Sequence, residues 1–239
     1  MKYIIEKISD KVEKFYKSGK AIATNFLDPA EVIGVMHEVK FVEHFLWGGF
    51  DGAERKIIVI GEEMIDTERQ EFLAAIRIKA EKAFLHRSVL GSILGLGIKR
   101  EMVGDIVVQE NLCDIIVVKN IAQYIINNLK FVGREKVQVS EILISEILVP
   151  VDTSKEVKTT VSSLRVDAVI SAGFGISREK SAALIKGEGV KLNHVLIKSA
   201  VKTVHAGDLI SVRGNGRLEV VEIGGTSKSG RIKLVLARK

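Results

Sequence analysis

The most informative chemistry in this sequence lies at the start of a short predicted helix, residues 177–186. Ser177 is a typical N-cap residue, and Arg178 and Lys180 follow it within the first helical turn. Positive charges there oppose the helix dipole at a cost of about 0.3–1 kcal/mol each, and Glu179 offsets only one of them. A phosphate at this helix start would be held by free backbone N–H groups and by both cationic side chains. The pattern therefore indicates an anion site, and two solvated surface cations are the alternative.

The distribution of charge supports an anionic partner for the same region. The net charge of the 239-residue chain is +6, but residues 160–239 carry 14 Lys and Arg against 6 Asp and Glu. The first 159 residues carry 22 against 24, so the whole positive excess lies in the last third. A basic module on a near-neutral body is typical of proteins that bind a polyanion, most often nucleic acid.

The elements that must position these residues predict an α+β chain with three small domains. Residues 1–70 form the first, an N-terminal α+β domain. Apolar residues at three- and four-residue steps predict an amphipathic helix over 4–16, and residues 56–60 have the composition of a strand. A second helix is expected from Asp28 to about Phe41. Asp28 can cap it, Pro29 suits its first position, and Glu31 can complete a capping box.

Residues 71–149 predict a central domain with the ferredoxin-like order βαββαβ. The strands are expected at 74–78, 105–108, 114–118 and near 137–139, and the helices at 88–96 and 121–129. RNA-recognition domains of this fold stack bases on aromatic side chains of the two central strands. The corresponding strands here contain no Phe, Tyr or Trp. Any contact of this domain with RNA would therefore use another scheme.

A polar segment, residues 150–160, is predicted to link this domain to a third one at 161–239. The third domain should contain two short helices on a small, mostly antiparallel sheet. The segment 161–167 is expected to open the first helix with a serine cap, and Gly173 is expected to end it. The second is the helix 177–186. Strand 209–213 and two hairpins should complete the sheet, one turning at Asn193-His194 and one at Gly224-Gly225.

Four spaced motifs occur in order in this last domain. They are Leu-Arg-Val-Asp at 164–167, Ser-Arg-Glu-Lys at 177–180, Leu-Ile-Lys-Gly-Glu-Gly-Val-Lys-Leu-Asn at 184–193 and Ala-Gly-Asp-Leu-Ile-Ser-Val-Arg-Gly at 206–214. Together they resemble the RNA-binding domain named after ribosomal small-subunit protein four. One departure is Asn193-His194, where the domain usually has Asn-Gly.

Further motifs lie upstream, with Leu-His-Arg at 85–87, Gly-Leu-Gly-Ile-Lys-Arg at 95–100 and Asn-Phe-Leu-Asp-Pro at 25–29. These resemble the YlmH family, so the likeness covers nearly the whole chain. Ser88 stands where an acidic residue is expected in that family. No role is therefore assigned to that position.

The resemblance implies a bacterial cytoplasmic protein that binds structured RNA, either rRNA or tRNA, on the large ribosomal subunit in ribosome quality control. Phe174 is the one aromatic residue in 160–239, which favours contacts to the shape and phosphates of folded RNA over base stacking. Asp167 is expected to orient Arg165 or to cap locally. Carried over by motif, the RNA-facing residues are Arg165, Ser177, Arg178, Lys180, Lys186, Lys191, Lys198 and Arg213. The alternative is an interaction protein of cell division whose RNA binding is secondary.

No catalytic activity, cofactor, metal or membrane is expected. His86-Arg87 is followed by Ser88, so the aspartate that follows such a pair in pseudouridine synthases is missing. His37-Glu38 begins like a zinc-protease helix, but Phe41 replaces the second histidine. The single cysteine, Cys113, excludes an internal disulfide framework and favours a core position. There is no apolar run of membrane-spanning length and no secretory signal.

Overall fold

The computed structural model describes residues 2–148 and 154–239, and the chain divides into two compact units. The first unit spans residues 1–150 and the second spans residues 151–239. Each contains both helices and strands, so the predicted α+β class is confirmed. Each also has a hydrophobic core of its own.

The first unit begins with α1 (Lys2–Ser18), which covers the predicted helix 4–16. The buried Ile8 of this helix packs in one cluster with Ile58 and Ile60 of a small sheet. The sheet is antiparallel, in the order β1-β3-β2, and the predicted strand 56–60 is its centre. Its strands are β1 (Ile22–Ala23), β2 (His44–Trp47) and β3 (Ile57–Ile60).

The second helix, α2 (Pro29–Val35), starts as predicted. The backbone N–H of Glu31 donates to the Asp28 carboxylate at 2.8 Å, and the backbone N–H of Asp28 donates to the Glu31 carboxylate at 2.7 Å. This capping box satisfies two of the free donors of the first turn. The helix ends at Val35 in a 3-10 turn rather than running to residue 41. The chain turns there, and Val39 and Val42 are buried in the core.

The rest of the first unit has the predicted βαββαβ order. Its four-stranded antiparallel sheet has the order β5-β6-β4-β9, with α4 and α5 in the two crossover positions. A short helix, α3, precedes the sheet, and a separate two-stranded hairpin, β7-β8, precedes its last strand. The elements are α3 (Asp66–Arg69), β4 (Leu73–Lys79), α4 (His86–Gly95), β5 (Val103–Gln109), β6 (Leu112–Val118), α5 (Ala122–Asn128), β7 (Phe131–Val132), β8 (Glu135–Lys136) and β9 (Gln138–Ile142).

The predicted boundary at residue 70 falls inside this unit. Phe26, Ile57 and Val59 belong to the same buried cluster as the strands β4 and β6. At Gly104 the backbone approaches the Phe26 ring so closely that a Cβ would lie 2.6 Å from its Cε1 atom. Residues on both sides of position 70 therefore share one core, and the sequence pattern could not show this because each segment has its own periodicity.

The second unit carries two helices and a six-stranded antiparallel sheet in the order β10-β15-β14-β13-β11-β12. The helix 177–186 is observed with the predicted cap, Ser177, and with Gly187 after its end. The elements are β10 (Lys155–Val161), α6 (Val166–Phe174), α7 (Arg178–Lys186), β11 (Val190–Leu192), β12 (Val195–Leu196), β13 (Leu209–Val212), β14 (Gly216–Thr226) and β15 (Ile232–Arg238).

Three predictions for this unit are corrected. The linker at 150–160 is wrong from Lys155 onward, because those residues form β10 along the whole of β15; residues 150–153 lie outside the described part of the chain. The first helix opens within the predicted segment, at Val166, but its N-cap is Arg165 without a side-chain hydrogen bond rather than a serine, and it continues past Gly173 to the left-handed Gly175 at φ +67°. The last hairpin does not turn at Gly224-Gly225: both residues lie within β14, and its turn comes after Thr226.

Replacing Gly173 with alanine is expected to lower the free energy of unfolding by about 1–3 kcal/mol. The new Cβ would lie 2.4 Å from Leu218 Cδ1 and 3.1 Å from Leu236 Cδ1, and both leucines are fully buried. Gly91 inside α4 is the matched control, since a Cβ there meets nothing within 4 Å. Gly91→Ala is expected to stabilise by about 0.5–1 kcal/mol. Denaturant melts of both variants measure the difference, and shifts of the same sign would contradict the packing argument.

Candidate nucleic-acid interface

The N-terminus of α7, where the sequence predicts an anion site, leaves backbone donors open. The Ser177 hydroxyl accepts a hydrogen bond from the backbone N–H of Lys180 at 3.1 Å, which fixes the start of the helix. Within residues 2–148 and 154–239, no acceptor is found for the backbone N–H groups of Arg178 and Glu179. Two helix-start donors are therefore available to a ligand, at the positive end of the helix dipole.

A buried carboxylate organises the arginines beside this helix start. Asp167, in the first turn of α6, accepts from Nε and Nη2 of Arg165 at 3.1 and 3.0 Å. The same carboxylate accepts from Nη2 of Arg178 at 3.0 Å. The Asp167 side chain is 6% exposed, whereas those of Arg165 and Arg178 are 40% and 49% exposed. The predicted role of Asp167 in orienting Arg165 is confirmed, and the carboxylate orients Arg178 as well.

The charge state of Asp167 follows from these contacts. Burial by itself would raise the pKa of this carboxyl, but the hydrogen bonds and charges of Arg165 and Arg178 hold the pKa below its ordinary value. Asp167 is thus ionised at neutral pH. One negative charge at the base of the cluster holds two positive charges at the surface, so the cluster keeps a net positive charge.

The N-terminus of the neighbouring helix, α6, has its donors satisfied within the protein. The backbone N–H of Val166 donates to the carbonyl of Lys202 at 2.8 Å, and that of Ala168 donates to the Asp167 carboxylate at 2.9 Å. The backbone N–H of Asp167 donates to the Ala200 carbonyl at 3.4 Å. Of the two helix starts within residues 154–239, that of α7 is therefore the one with open backbone donors.

The other predicted RNA-facing residues are exposed, but not all of them lie beside the start of α7. Lys180 lies two residues after Arg178, which places their side chains about 160° apart around α7. Lys186 is in the last turn of α7, and Lys191 lies on the outward face of β11 between the buried Val190 and Leu192. Arg213 directly follows β13.

Lys198 is engaged with a neighbouring acid. Its ammonium group lies 2.7 Å from the Glu188 carboxylate, and this hydrogen bond raises the pKa of Lys198. Both side chains are more than half exposed, at 74% and 54%, so solvent screens the pair. An RNA phosphate would have to compete with Glu188 for this lysine.

The departure at Asn193-His194 is resolved by local bonding. Both residues have positive φ, +49° and +66°, as a two-residue hairpin turn requires. The Asn193 side chain donates to the Asp208 carboxylate at 2.7 Å and accepts from the backbone N–H of Leu209 at 2.8 Å. Asparagine adopts this conformation more readily than most residues, and its side chain is tied to the next strand.

One basic residue near the interface was missed by sequence reasoning. Lys202 is exposed, and its carbonyl accepts from Val166, so its backbone lies beside the start of α6. Thr203 forms an isolated antiparallel bridge with Arg165. Lys202 lies in a segment without regular periodicity, so only the basic residue type could have signalled it.

Other reactive groups offer little chemistry. Cys113 is fully buried, and burial raises the pKa of its thiol to about 12, so it is protonated and is no nucleophile at neutral pH. The described part of the chain contains no cluster of three His, Cys, Asp or Glu side chains that could hold a metal ion. Among the helices that the structure describes, none is long and apolar enough to cross a membrane.

Comparisons with known proteins match both units. Residues 65–146 match the family described as the putative RNA-binding domain in YlmH, and residues 164–210 match the S4 domain. The chain is 33% identical over 222 residues to the ribosome-associated protein quality control protein P2 of Bacillus subtilis, covering 90% of this chain and 86% of that protein.

A solved structure shares the fold. It is described as the cell division protein ylmH from Streptococcus pneumoniae, and it is similar with a TM-score of 0.55 and 21% identity over 62% of this chain and 94% of that one. The family assignment rests on the likeness to the Bacillus relative, which extends over most of both chains. Together with the two matched domains, it shows that the chain belongs to the YlmH family and carries a C-terminal S4 RNA-binding domain.

Proposed function

We propose that this protein is a non-catalytic RNA-binding factor that binds structured rRNA or tRNA on the large ribosomal subunit. The observation that carries the proposal is the buried Asp167, which fixes Arg165 and Arg178 beside the open helix start of α7. Arginine has five N–H donors, and the carboxylate uses two from Arg165 and one from Arg178. The remaining donors are available to phosphate oxygens, which suit the planar guanidinium fork.

The choice of structured RNA rests on what surrounds this cluster. Phe174 is half-buried and packs against the hydrophobic core of the second unit, so it is poorly placed to stack on bases. Base–aromatic stacking contributes about 1–3 kcal/mol of binding free energy per base to single-strand binding, and a surface without exposed aromatic side chains lacks that contribution. Contacts to the phosphates and shape of folded RNA fit a surface of arginines and lysines better.

The cellular setting follows from the relatives. The Bacillus protein is named for ribosome-associated quality control, and it covers nearly the whole of this chain at 33% identity. By that similarity we assign the protein to the bacterial cytoplasm and to ribosomes that require quality control. Its contribution there would be to hold RNA, since the buried Cys113 and the incomplete enzyme motifs provide no reactive group.

The salt dependence of binding tests the RNA interface. A fragment of residues 151–239 is expected to fold alone, because it has its own core and includes all of β10. With about four to six phosphate contacts, a plot of log K against log salt should have a slope near −3 to −5 for both the fragment and the full chain. Anisotropy titrations of a labelled hairpin RNA at several salt concentrations measure the slope. An affinity that does not change with salt would contradict the phosphate-based interface.

Sedimentation with ribosomal subunits separates this function from the alternative role in cell division. The full chain is expected to sediment with isolated large subunits at low salt and to be released as the salt concentration rises. An interaction protein of cell division with only secondary RNA binding would remain in the supernatant. Isolated small subunits, sedimented in parallel, are the control for non-specific attraction.

A further inference from the structure

A second basic site lies within the first unit, outside the S4 domain of the second unit, and one of its segments, 99–101, falls within the matched residues 65–146. A cleft with a volume of about 670 Å³ opens between α1, the segment 24–31 and the segment 99–101. That volume falls within the roughly 300–1,000 Å³ typical of small-ligand sites. Six Lys or Arg side chains and four Asp or Glu side chains line the cleft, together with apolar residues such as Ile4 and Phe26.

Three lysines of α1 form one side of the cleft. Lys7, Lys11 and Lys14 are spaced by four and three residues, so they lie on the same face of the helix. Lys7 pairs with Glu101 at 3.1 Å. For Lys11 and Lys14, no ion pair or hydrogen bond is found among the residues that the structure describes. Lys99, on the opposite segment, adds a further exposed positive charge.

The carboxylates of the cleft are mostly engaged with other groups. Asp28 and Glu31 accept backbone N–H groups in the capping box of α2. Glu101 accepts from Lys7 and, at 3.1 Å, from the side-chain amide of Asn25. Asp10, on α1, is exposed. The cations therefore exceed the acids by two, and three of the four acids already accept hydrogen bonds from other groups.

This arrangement costs the protein stability unless an anion is present. Lys11 is half-buried, and burial lowers the pKa of its ammonium group. The neighbouring charges of Lys14 and Lys7 lower that pKa further. Like charges that are gathered in a partly desolvated cleft repel one another, and a bound phosphate would remove this repulsion. Ile4 of α1, which is partly exposed, gives the cleft wall an apolar surface that can contact a base.

We propose that this cleft binds the phosphate of a nucleotide, with Lys11, Lys14 and Lys99 around the phosphate and Ile4 against the base. The nucleotide is either a free one or one unit of an RNA strand, since both present the same chemistry. This site is separate from the interface at α7, so the two proposals can fail independently.

The test uses the full chain and two small probes, adenosine diphosphate and inorganic pyrophosphate, in calorimetric titrations. Lys11→Gln is expected to weaken binding of both by about tenfold or more. Lys17→Gln is the matched control, because Lys17 lies on the same helix but outside the cleft and pairs with Glu13. Lys14→Gln is a second variant whose exposed position spares the fold.

Thermal melts provide a readout that a purely structural lysine would not give. Without ligand, Lys11→Gln should melt at or above the wild-type temperature, since it removes an uncompensated charge. Pyrophosphate should raise the melting temperature of the wild type and of Lys17→Gln but not that of Lys11→Gln.

A cross-linking experiment distinguishes a free nucleotide from an RNA strand as the source of the phosphate. A single-stranded RNA that contains a photoreactive uridine is cross-linked to the full chain, and the attached peptide is identified by mass spectrometry. Lys11-dependent binding of adenosine diphosphate supports a free nucleotide. Lys11-dependent cross-links within residues 2–18 without binding of the small probes support an RNA strand. If neither occurs, or if Lys11→Gln behaves like Lys17→Gln in every assay, the cleft is not a phosphate site.

Discussion

Replacing Arg178 with alanine is expected to weaken the binding of structured RNA by about tenfold to a hundredfold. The guanidinium is about half exposed beside the open donors of α7, where a charge-assisted hydrogen bond to phosphate contributes roughly 1.5–3 kcal/mol. Lys180→Ala should have a weaker effect, because lysine lacks the bidentate fork and lies on the other flank of the helix. Anisotropy titrations with a hairpin RNA measure both losses.

The same substitution is also expected to lower stability, which the sequence alone does not predict. A charge in the first turn opposes the helix dipole, so its removal should stabilise by about 0.3 kcal/mol. In the structure, Arg178 also neutralises the buried Asp167, and the loss of that bond should cost about 1 kcal/mol, since the arginine is half solvated.

The Arg178 prediction has a control variant and an outcome that would contradict it. Lys17→Ala in α1 removes one charge without touching the interface, so it should change neither binding nor stability by much. Melting temperature and affinity are measured on the same samples. If the affinity of Arg178→Ala falls only in proportion to the unfolded fraction, Arg178 is a structural residue and the phosphate contact must lie elsewhere.

Asp167→Asn is expected to weaken RNA binding although it makes the protein more positive. In either orientation the amide's NH₂ group replaces an acceptor: at the Oδ2 position it faces Nη2 of both Arg165 and Arg178, and at the Oδ1 position it faces Nε of Arg165 and the backbone N–H of Ala168. The amide also lacks the negative charge that holds the two guanidiniums. The affinity for hairpin RNA should fall by about tenfold, and the free energy of unfolding should fall by about 2 kcal/mol. If charge alone decided the affinity, this variant would bind more tightly than the wild type. Tighter binding would therefore exclude a positioning role for Asp167.

The low pKa of Asp167 gives this residue a defined pH signature. Since its pKa is lowered in the folded state, its stabilising contribution is complete above the ordinary Asp pKa of about 3.9 and disappears as pH falls through the folded value. Between pH 5 and the strongly acidic range, the wild type should therefore lose more unfolding free energy than Asp167→Asn, which cannot titrate there. Denaturant melts at a series of pH values compare the two proteins.

Local rules predicted the parts of the fold that depend on neighbours in sequence. Ser177 at the start of α7 and the capping box of Asp28 and Glu31 were both identified from residue type and spacing, because the bonds that they make span only three residues. The βαββαβ order of the central segment followed from alternating apolar runs. In each case the information lies within one turn or one strand.

Features of the fold that depend on distant partners were missed. β10 contains Lys, Glu and Thr residues, which are typical of a linker, and it is a strand only because β15 pairs with it. The start of α6 lacks a side-chain cap, since the carbonyls of Ala200 and Lys202 accept its first N–H groups. No local pattern in the sequence around residues 155–165 could have indicated that β15 pairs with β10 or that these two carbonyls accept from α6.

For the candidate sites too, the sequence indicated the residues that local motifs contain and missed the contacts between distant residues. The motifs identified Arg165 and Arg178, and the structure adds that one carboxylate holds both. The net charge of the first 159 residues gave no indication of the basic cleft in the first unit, because acids outnumber bases there. The spacing of Lys7, Lys11 and Lys14 on one face of α1 was the available signal.

The position of β10 also has a kinetic consequence. Its register pairs Lys155 with Arg238 and Val161 with Ile232, so the first strand of the second unit closes on the last one. The other sheet contacts join strands that follow one another closely in the chain, and they can form early because the loops that they close are short. Pairing of β10 must wait until β15 is in place, and as an edge strand it is held from one side only. In folding it is therefore the last strand to add, and in native-state hydrogen exchange its amides should be among the first to open.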